Sequence, residues 1–251
     1  MADSLDVIAH RGARRTHPEN TMAAFEAAAS LGADGIEFDV QLARDGTPVV
    51  MHDETVDRTT DGTGRVDELT AIELARLDAG GWLGQEFAGE GVPFLLEVLE
   101  WARGNALTLH VELKDGPTMS GDGLAGAVVS ALERTGMAER AVLSSYHHRR
   151  LVEAQAQRPD VRTAVLYDFG LHEPWDYVRS LGATGIHCRW DWVDESLVGS
   201  ARARGIDVRA FGAEDESALW TVLQSGAGVI TPEPALALEI RARLQSRVVR
   251  G

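Results

Sequence analysis

The sequence predicts an α/β fold, a (β/α)8 TIM barrel, on three observations. Nine short runs rich in β-branched and aliphatic residues recur along the 251-residue chain. Helix-like stretches separate most of them, the alternation that builds a parallel sheet flanked by helices. One link, from Val40 to Val49, is too short for a helical crossover, which takes about a dozen or more residues. That pair is expected to form a hairpin or one extended excursion, leaving about eight β/α units, the count of a closed barrel. An open doubly wound sheet is the alternative. No GxGxxG follows a run, which weakens its dinucleotide-binding version.

The elements follow in order. Residues 7–9 are the first expected strand. The Ala-rich stretch 21–31 comes next, with Phe25 on its apolar face, Asn20 available as N-cap and Gly32 at its end. Runs 36–40 and 49–51 enclose Asp45-Gly46, a short-range hairpin signal. If those two residues centre the turn, position 39 falls opposite position 52. Side-chain alternation then projects Glu37, Asp39 and His52 from one face. Further strands are expected at 107–113, 141–144, 163–166, 185–187, 208–211 and 228–231, with helices at 95–102, 124–134, 149–157, 196–204, 217–225 and 235–244. Residues 53–91 break the alternation, being rich in Asp, Gly and Thr with a short helical piece near 71–77. So long a stretch with little regular structure is a functional loop or a small subdomain. Because it follows His52, it is read as a cap over one end of the barrel, inserted in a single domain of residues 1–251.

Composition narrows the function. Hydrophobic residues make up 44% and charged residues 25%, ordinary for a chain with a sizeable core. The formal net charge of −15, with scattered Lys and Arg, argues against nucleic acid or an anionic membrane as partner. A small anionic substrate remains possible, since a metal ion and two basic side chains reverse the local field. Cys188 is the only cysteine, so no intrachain disulfide forms and a reducing compartment is plausible. The N-terminus has no basic and apolar export signal, and no apolar run approaches the ~20 residues of a membrane span. A cytoplasmic location is expected. The sequence leaves the oligomeric state open.

In barrels of this type the site lies at the C-terminal ends of the strands. His10-Arg11-Gly12 ends the first, Glu37 and Asp39 the second, and Glu112 and Lys114 the run at 107–113. Singly, each of these also fits a structural role, and the hairpin face also fits simple solvation. Jointly they form an inventory. Glu37, Asp39 and Glu112 offer an oxygen-only set suited to Mg2+ or Ca2+, and less to zinc. Arg11 can bind two phosphate oxygens at once and Lys114 adds a point charge. His10 and His52 titrate near neutrality, so one can take a proton and the other give one. The set matches phosphodiester hydrolysis.

The same residues carry a resemblance. Ala9-His10-Arg11-Gly12, Pro18-Glu19-Asn20-Thr21, Glu37-Phe38-Asp39-Val40, Asp45-Gly46-x-Pro48-Val49-Val50, His52-Asp53 with Asp57-Arg58-Thr59-Thr60, and Glu112-Leu113-Lys114 resemble the glycerophosphodiester phosphodiesterase family in order and spacing. The likeness spans close to half the chain. It implies a metal-dependent TIM barrel with an inserted cap that hydrolyses small glycerophosphodiesters. His10 and His52 would be the acid/base pair, Glu37, Asp39 and Glu112 the metal ligands, and Arg11 and Lys114 the phosphate holders. The family's attack is thought to use the substrate's own glycerol hydroxyl, with a cyclic phosphate opened later by water.

The C-terminal half departs from the family's Trp-Thr-Val-Asn and Thr-Asp-x-Pro. Here stand Phe211-Gly212-Ala213-Glu214 and Thr231-Pro232-Glu233-Pro234. Phe211 keeps an aromatic to line the substrate's end of the mouth but loses the indole N–H. Glu214 is expected beside it, favouring a cationic head group. Trp190 and Trp192 follow a strand end and fit either an apolar substrate wall or packing. His110, two residues before Glu112, is expected in the barrel interior. His147, His148 and His172 read as loop or helix-start residues. Alternatives to a glycerophosphodiesterase are a lysophospholipase-D-like activity on longer lipids and a binding barrel without turnover.

Overall fold

A computed structural model describes residues 5–114 and 123–248. β1 (Val7–His10) lies beside β2 (Gly35–Leu42), and β3 (Pro48–Val50) runs antiparallel along the end of β2. β4 (Thr108–Leu113), β5 (Ala141–Ser145), β6 (Arg162–Tyr167), β7 (Gly185–Arg189), β8 (Asp207–Phe211) and β9 (Gly228–Thr231) follow, all parallel to β1. β9 pairs with β1 and β1 with β2, so eight parallel strands close a barrel and β3 stands outside it. The expected (β/α)8 barrel is the observed fold. α1 (Met22–Leu31), α2 (Ala71–Leu74), α3 (Leu95–Ala102), α4 (Leu124–Thr135), α5 (Arg149–Gln157), α6 (Trp175–Ser180), α7 (Glu195–Arg202), α8 (Glu216–Ser225) and α9 (Pro234–Val248) complete it. All but α2 lie between or after barrel strands; α6 has no counterpart among the expected helices.

Strand alternation sorts the side chains. In β2, Ile36, Phe38 and Val40 join the core outside the barrel, where Phe38 meets Phe25 of α1 at 5.6 Å. Glu37 and Asp39 take the other face, toward the interior. β4 repeats this, with Leu109, Val111 and Leu113 outward and His110 and Glu112 inward. In β7, Ile186 and Cys188 face the helices and His187 the interior. His110 is fully buried and its ring lies 5.4 Å from that of His187, as expected of an interior position. Most apolar strand residues are spent between strands and helices, which leaves room for His10, Glu37, His110, Glu112 and His187 inside the barrel beside Leu166 and Ile230.

The helix cap at α1 differs from expectation. Thr21, not Asn20, is the N-cap and accepts from the Ala24 N–H. Asn20 sits one residue earlier at φ +58, a conformation Asn tolerates better than most residues. The turn before it needs Gly12, whose Cβ would stand 2.7 Å from Ala24.

The hairpin register also differs by one residue. Val40 pairs with Val50 and Gln41 with Val49, so Asp39 lies opposite Met51 and not His52. The loop has three residues, Arg44 to Gly46, with Gly46 at φ +80 and an Ala43 N–H to Thr47 carbonyl bond of 2.9 Å closing it. His52 lies beyond the end of β3. It is held near the mouth by Gln41, whose Nε2 donates to the carbonyls of Met51 (2.9 Å) and Asp53 (2.6 Å).

Residues 53–91 form a small folded unit with its own apolar cluster. Val56, Val66, Leu74 and Ala79 pack on Val49, Met51 and Val92. A capping box between Thr70 and Glu73 starts α2, which is shorter than the expected 71–77. The Asp78 carboxylate gathers the N–H groups of Gly80, Gly81 and Gly89. Phe87 of this unit meets His17 of the β1–α1 loop at 5.2 Å.

Candidate active site

His10 ends β1, Glu112 nearly ends β4 and Glu37 lies level with His10 on β2; together with Arg11, Ser144, Tyr146, Leu166, His187, Phe211 and Ile230 they line a cavity of about 190 Å3. It opens at the C-terminal end of the barrel, where sites of this fold lie. Glu37, Asp39 and Glu112 each bring one carboxylate oxygen to within 4.8 Å of the others.

Each acid is anchored by one oxygen. Glu37 Oε2 accepts from the Arg11 backbone N–H at 3.2 Å. Asp39 Oδ2 accepts from Asn20 Nδ2 at 2.9 Å and faces Arg11 Nε at 3.3 Å. Glu112 Oε1 takes the Lys114 ammonium at 2.8 Å. Asp39 Oδ1 is buried without a hydrogen bond, 3.6 Å from Lys114 Nζ. Among the described residues, two of the three non-glycine positions at positive φ, Arg11 and Asn20, are among these anchors. Backbone strain collects where the rest of a site over-determines it.

Burial and mutual repulsion set the charges. Burial, then Asp39 and Glu112, push the Glu37 carboxyl well above the usual range. Burial and Asp39 push Glu112 up to about 6 against the pull of Lys114. Asp39 is the most acidic of the three: burial opposes its ionisation, but Arg11, Lys114 and His52 hold it down to about 2.

The histidines flank this cluster. His10 Nε2 lies 3.8 Å from Glu37 Oε2, while its buried Nδ1 has no hydrogen bond. Burial, then Arg11 and Arg14, lower its pKa to about 3. His52 Nδ1 lies 2.6 Å from Asp53 Oδ1. That contact fixes the tautomer with Nδ1–H donated to Asp53 and Nε2 carrying the lone pair. Burial, with Arg11 and Lys114, lowers the His52 pKa despite Asp39 and Asp53. Burial thus disfavours the charged form of both rings in the ligand-free site.

One hydrogen-bonded chain ties the 53–91 unit to the cluster. Arg58 donates Nε to Asp53 at 2.6 Å and both Nη groups to Glu19 at 2.9 and 2.8 Å. Glu19 in turn accepts from Arg11 Nη1 at 2.9 Å. The sequence offered Asn20 only as a helix cap, placed Asp53 and Arg58 in motifs without a role, and gave no role to Gln41, because what they do rests on contacts across the fold. Ser144, Tyr146 and His187 were also missed, though strand alternation alone turns His187 inward.

Other expectations fare differently. Phe211 lines the cavity as expected. Glu214 is bound at 3.0 Å by both Arg14 and Arg15, so its charge is shared with the protein's own cations. It is not among the residues lining the cavity, where a head group was expected to meet it. Glu233 is likewise held by Arg15 at 2.7 Å. Neither Trp190 nor Trp192 lines the cavity: Trp190 packs into the outer core and Trp192 lies against Gly170.

Fold and site together define a barrel hydrolase with an acidic centre flanked by two histidines and two basic side chains. Residues 10–236 match the glycerophosphoryl diester phosphodiesterase family. A glycerophosphodiester phosphodiesterase of Caldanaerobacter subterraneus subsp. tengcongensis is 37% identical, over 93% of this chain and 96% of its own. The crystal structure of an Agrobacterium tumefaciens glycerophosphodiester phosphodiesterase superposes with a TM-score of 0.81 at 29% identity, covering 93% of this chain and 99% of that one. An Oleispira antarctica phosphodiesterase, solved with its product sn-glycerol-3-phosphate, gives a TM-score of 0.83 at 31% identity, over 94% and 96%. The chain belongs to the glycerophosphoryl diester phosphodiesterase family and is a phosphoric diester hydrolase.

Proposed function

We propose that the protein hydrolyses small glycerophosphodiesters to glycerol 3-phosphate and an alcohol, with a divalent cation held by Glu37, Asp39 and Glu112. The observation that carries this is the convergence of those three carboxylates within 4.8 Å at the strand ends that also bear His10, Arg11 and Lys114. The site suits such an ion. Asp39 Oδ1 is buried without a hydrogen bond, and the Glu37 carboxyl is pushed well above the usual carboxylate range by burial and its two acidic neighbours. An all-oxygen set favours Mg2+ or Ca2+. When bound, the cation supplies Lewis-acid polarisation of the phosphoryl group.

The chain's own residues do the rest. Arg11 and Lys114 hold non-bridging phosphate oxygens, and Phe211 packs against the glycerol end. Of His10 and His52, one takes the proton of the attacking hydroxyl; the other, taking up a proton from solvent once the negative phosphate lies beside it, protonates the departing alkoxide. Asp53 keeps His52 in the tautomer that presents Nε2. The structure solved with sn-glycerol-3-phosphate in the Oleispira antarctica relative supports the substrate class. Residues 1–251 act as one domain with 53–91 as its cap. The single thiol, Cys188, buried in the outer core, is in keeping with a cytoplasmic location. No described helix is long and apolar enough to cross a membrane.

Glycerol 3-phosphate release from glycerophosphocholine, glycerophosphoethanolamine and glycerophosphoglycerol, with Mg2+, Ca2+ or EDTA, tests the proposal. Release is expected with at least one ion and lost in EDTA. Full turnover in excess EDTA after dialysis overturns the cation assignment.

A further inference from the structure

The loop leaving β6 and the start of α6 enclose a second cavity of about 470 Å3, lined by Tyr146, Leu166, Tyr167, Phe169, Glu173 and Tyr177 among others. It shares Tyr146 and Leu166 with the acidic cavity, so the two meet at a common wall. Its rings are arranged, not stacked at random: Tyr167 and Phe169 lie 6.4 Å apart at 53°. Tyr177 is held by a 2.7 Å contact of its hydroxyl with His148 Nδ1, and His148 is itself anchored on the Leu166 carbonyl. Phe169 is 60% exposed, and Tyr146 and Tyr177 are also exposed. Core packing does not account for three exposed rings around one hollow.

The lining chemistry selects the ligand. Aromatic faces present negative potential, and a cation seated on them gains most when partly desolvated. Glu173 adds a carboxylate, held at positive φ. Its nearest cation, Arg204, stands 4.0 Å away in an exposed contact that removes little of that charge. Among the described residues, no Lys or Arg lines this cavity. An acyl chain would gain nothing from the carboxylate, and an anionic group would be repelled. We infer that this aromatic cavity is the leaving-group subsite of the phosphodiesterase and receives a quaternary ammonium head group while the phosphate sits at Arg11 and Lys114. The inference rests on the activity proposed above. The same ammonium chemistry occurs in glycerophosphocholine and in lysophosphatidylcholine, and each belongs in the assay as a separate substrate.

The test uses Phe169→Leu, which keeps an apolar side chain at an exposed position but removes the ring, and Glu173→Gln. The kcat/KM ratio for glycerophosphocholine over glycerophosphoglycerol is expected to fall about three- to tenfold in each, the size of a cation–aromatic contact. Tetramethylammonium is expected to inhibit glycerophosphocholine hydrolysis competitively, and less in Phe169→Leu. An unchanged ratio in both variants, or no competition in wild type, overturns the subsite. If wild type turns over no diester at all, the activity proposed above fails. Calorimetric titration with tetramethylammonium then still tests the cavity, and absence of binding overturns it.

Discussion

At the residue scale, the proposed centre is a contest between like charges and burial. Glu37 and Glu112 are held above their ordinary carboxylate range, Glu112 at about 6. In the folded, cation-free protein these groups bind protons more tightly than in the unfolded chain, so their ionisation removes stability as pH rises from the ordinary carboxylate range through about 6. A cation needs the ionised oxygens and relieves their repulsion. Mg2+ or Ca2+ should therefore raise the Tm more at pH 8 than at pH 5, with proton release on binding near neutrality. Thermal unfolding and calorimetry in two buffers check this; a larger shift at pH 5 contradicts it. Glu37→Gln should fold yet lose most of the cation-induced shift. For the histidines, His10→Ala and His52→Ala should each lower kcat by ~10²–10⁴-fold, the usual worth of a general acid or base. Asp53→Asn should fall between wild type and His52→Ala, because it disturbs only the tautomer. Steady-state kinetics decide, and near-normal turnover in either alanine variant removes that residue from the acid/base pair.

At the element scale, the N-terminal boundary of α1 separates two jobs that adjacent residues perform. Thr21 caps the helix, whereas Asn20 turns away and braces Asp39. Thr21→Ala should cost about 1 kcal/mol of stability, typical of a lost cap, with little change in cation affinity. Asn20→Ala should weaken cation binding severalfold more than Thr21→Ala does. Paired denaturation and titration curves separate the two, and the reverse pattern would return the cap to Asn20. The β2–β3 hairpin carries a similar division. Its three-residue loop sets a register that leaves His52 beyond β3, and Gln41 restores its position by clamping residues 51–53. Gln41→Leu strips two buried carbonyls of their donor, a loss of about 1–3 kcal/mol. It should lower kcat together with stability.

At the scale of the whole molecule, the closed barrel brings together segments far apart in the chain. Arg14 and Glu214 are 200 positions apart yet meet at 3.0 Å. This rim network joins the first strand's loop to the eighth's and neutralises the acid that replaces the family's usual residue. Glu214→Gln should accordingly change KM for glycerophosphocholine and glycerophosphoglycerol by the same factor. A selective loss for the choline substrate would show that the arginines leave its charge available. The 53–91 unit is tied in by the same logic. Arg58 reaches back to Glu19, and through it to Arg11, so this unit and the arginine beside the acidic cluster share one hydrogen-bonded chain.

The fold and much of the centre were legible in the sequence because they rest on local period. Ile36-Glu37-Phe38-Asp39-Val40 and Leu109-His110-Val111-Glu112-Leu113 alternate apolar and polar, so any parallel barrel built from them must turn the acids inward. The alternation of runs and helix-like stretches fixed the barrel for the same reason, and the short β2–β3 link identified the strand that stands outside it. What tertiary structure alone decided involves contacts between residues that no period relates. These are the one-residue shift that places His52 through Gln41, the turning of Asn20 onto Asp39, the Arg58 bridge, the pairing of Glu214 and the aromatic cavity beside the site. A strand's register depends on its loop conformation, and a side chain's charge on whichever partner the closed barrel brings within reach. Both follow from long-range packing, which the chain encodes only through the folded whole.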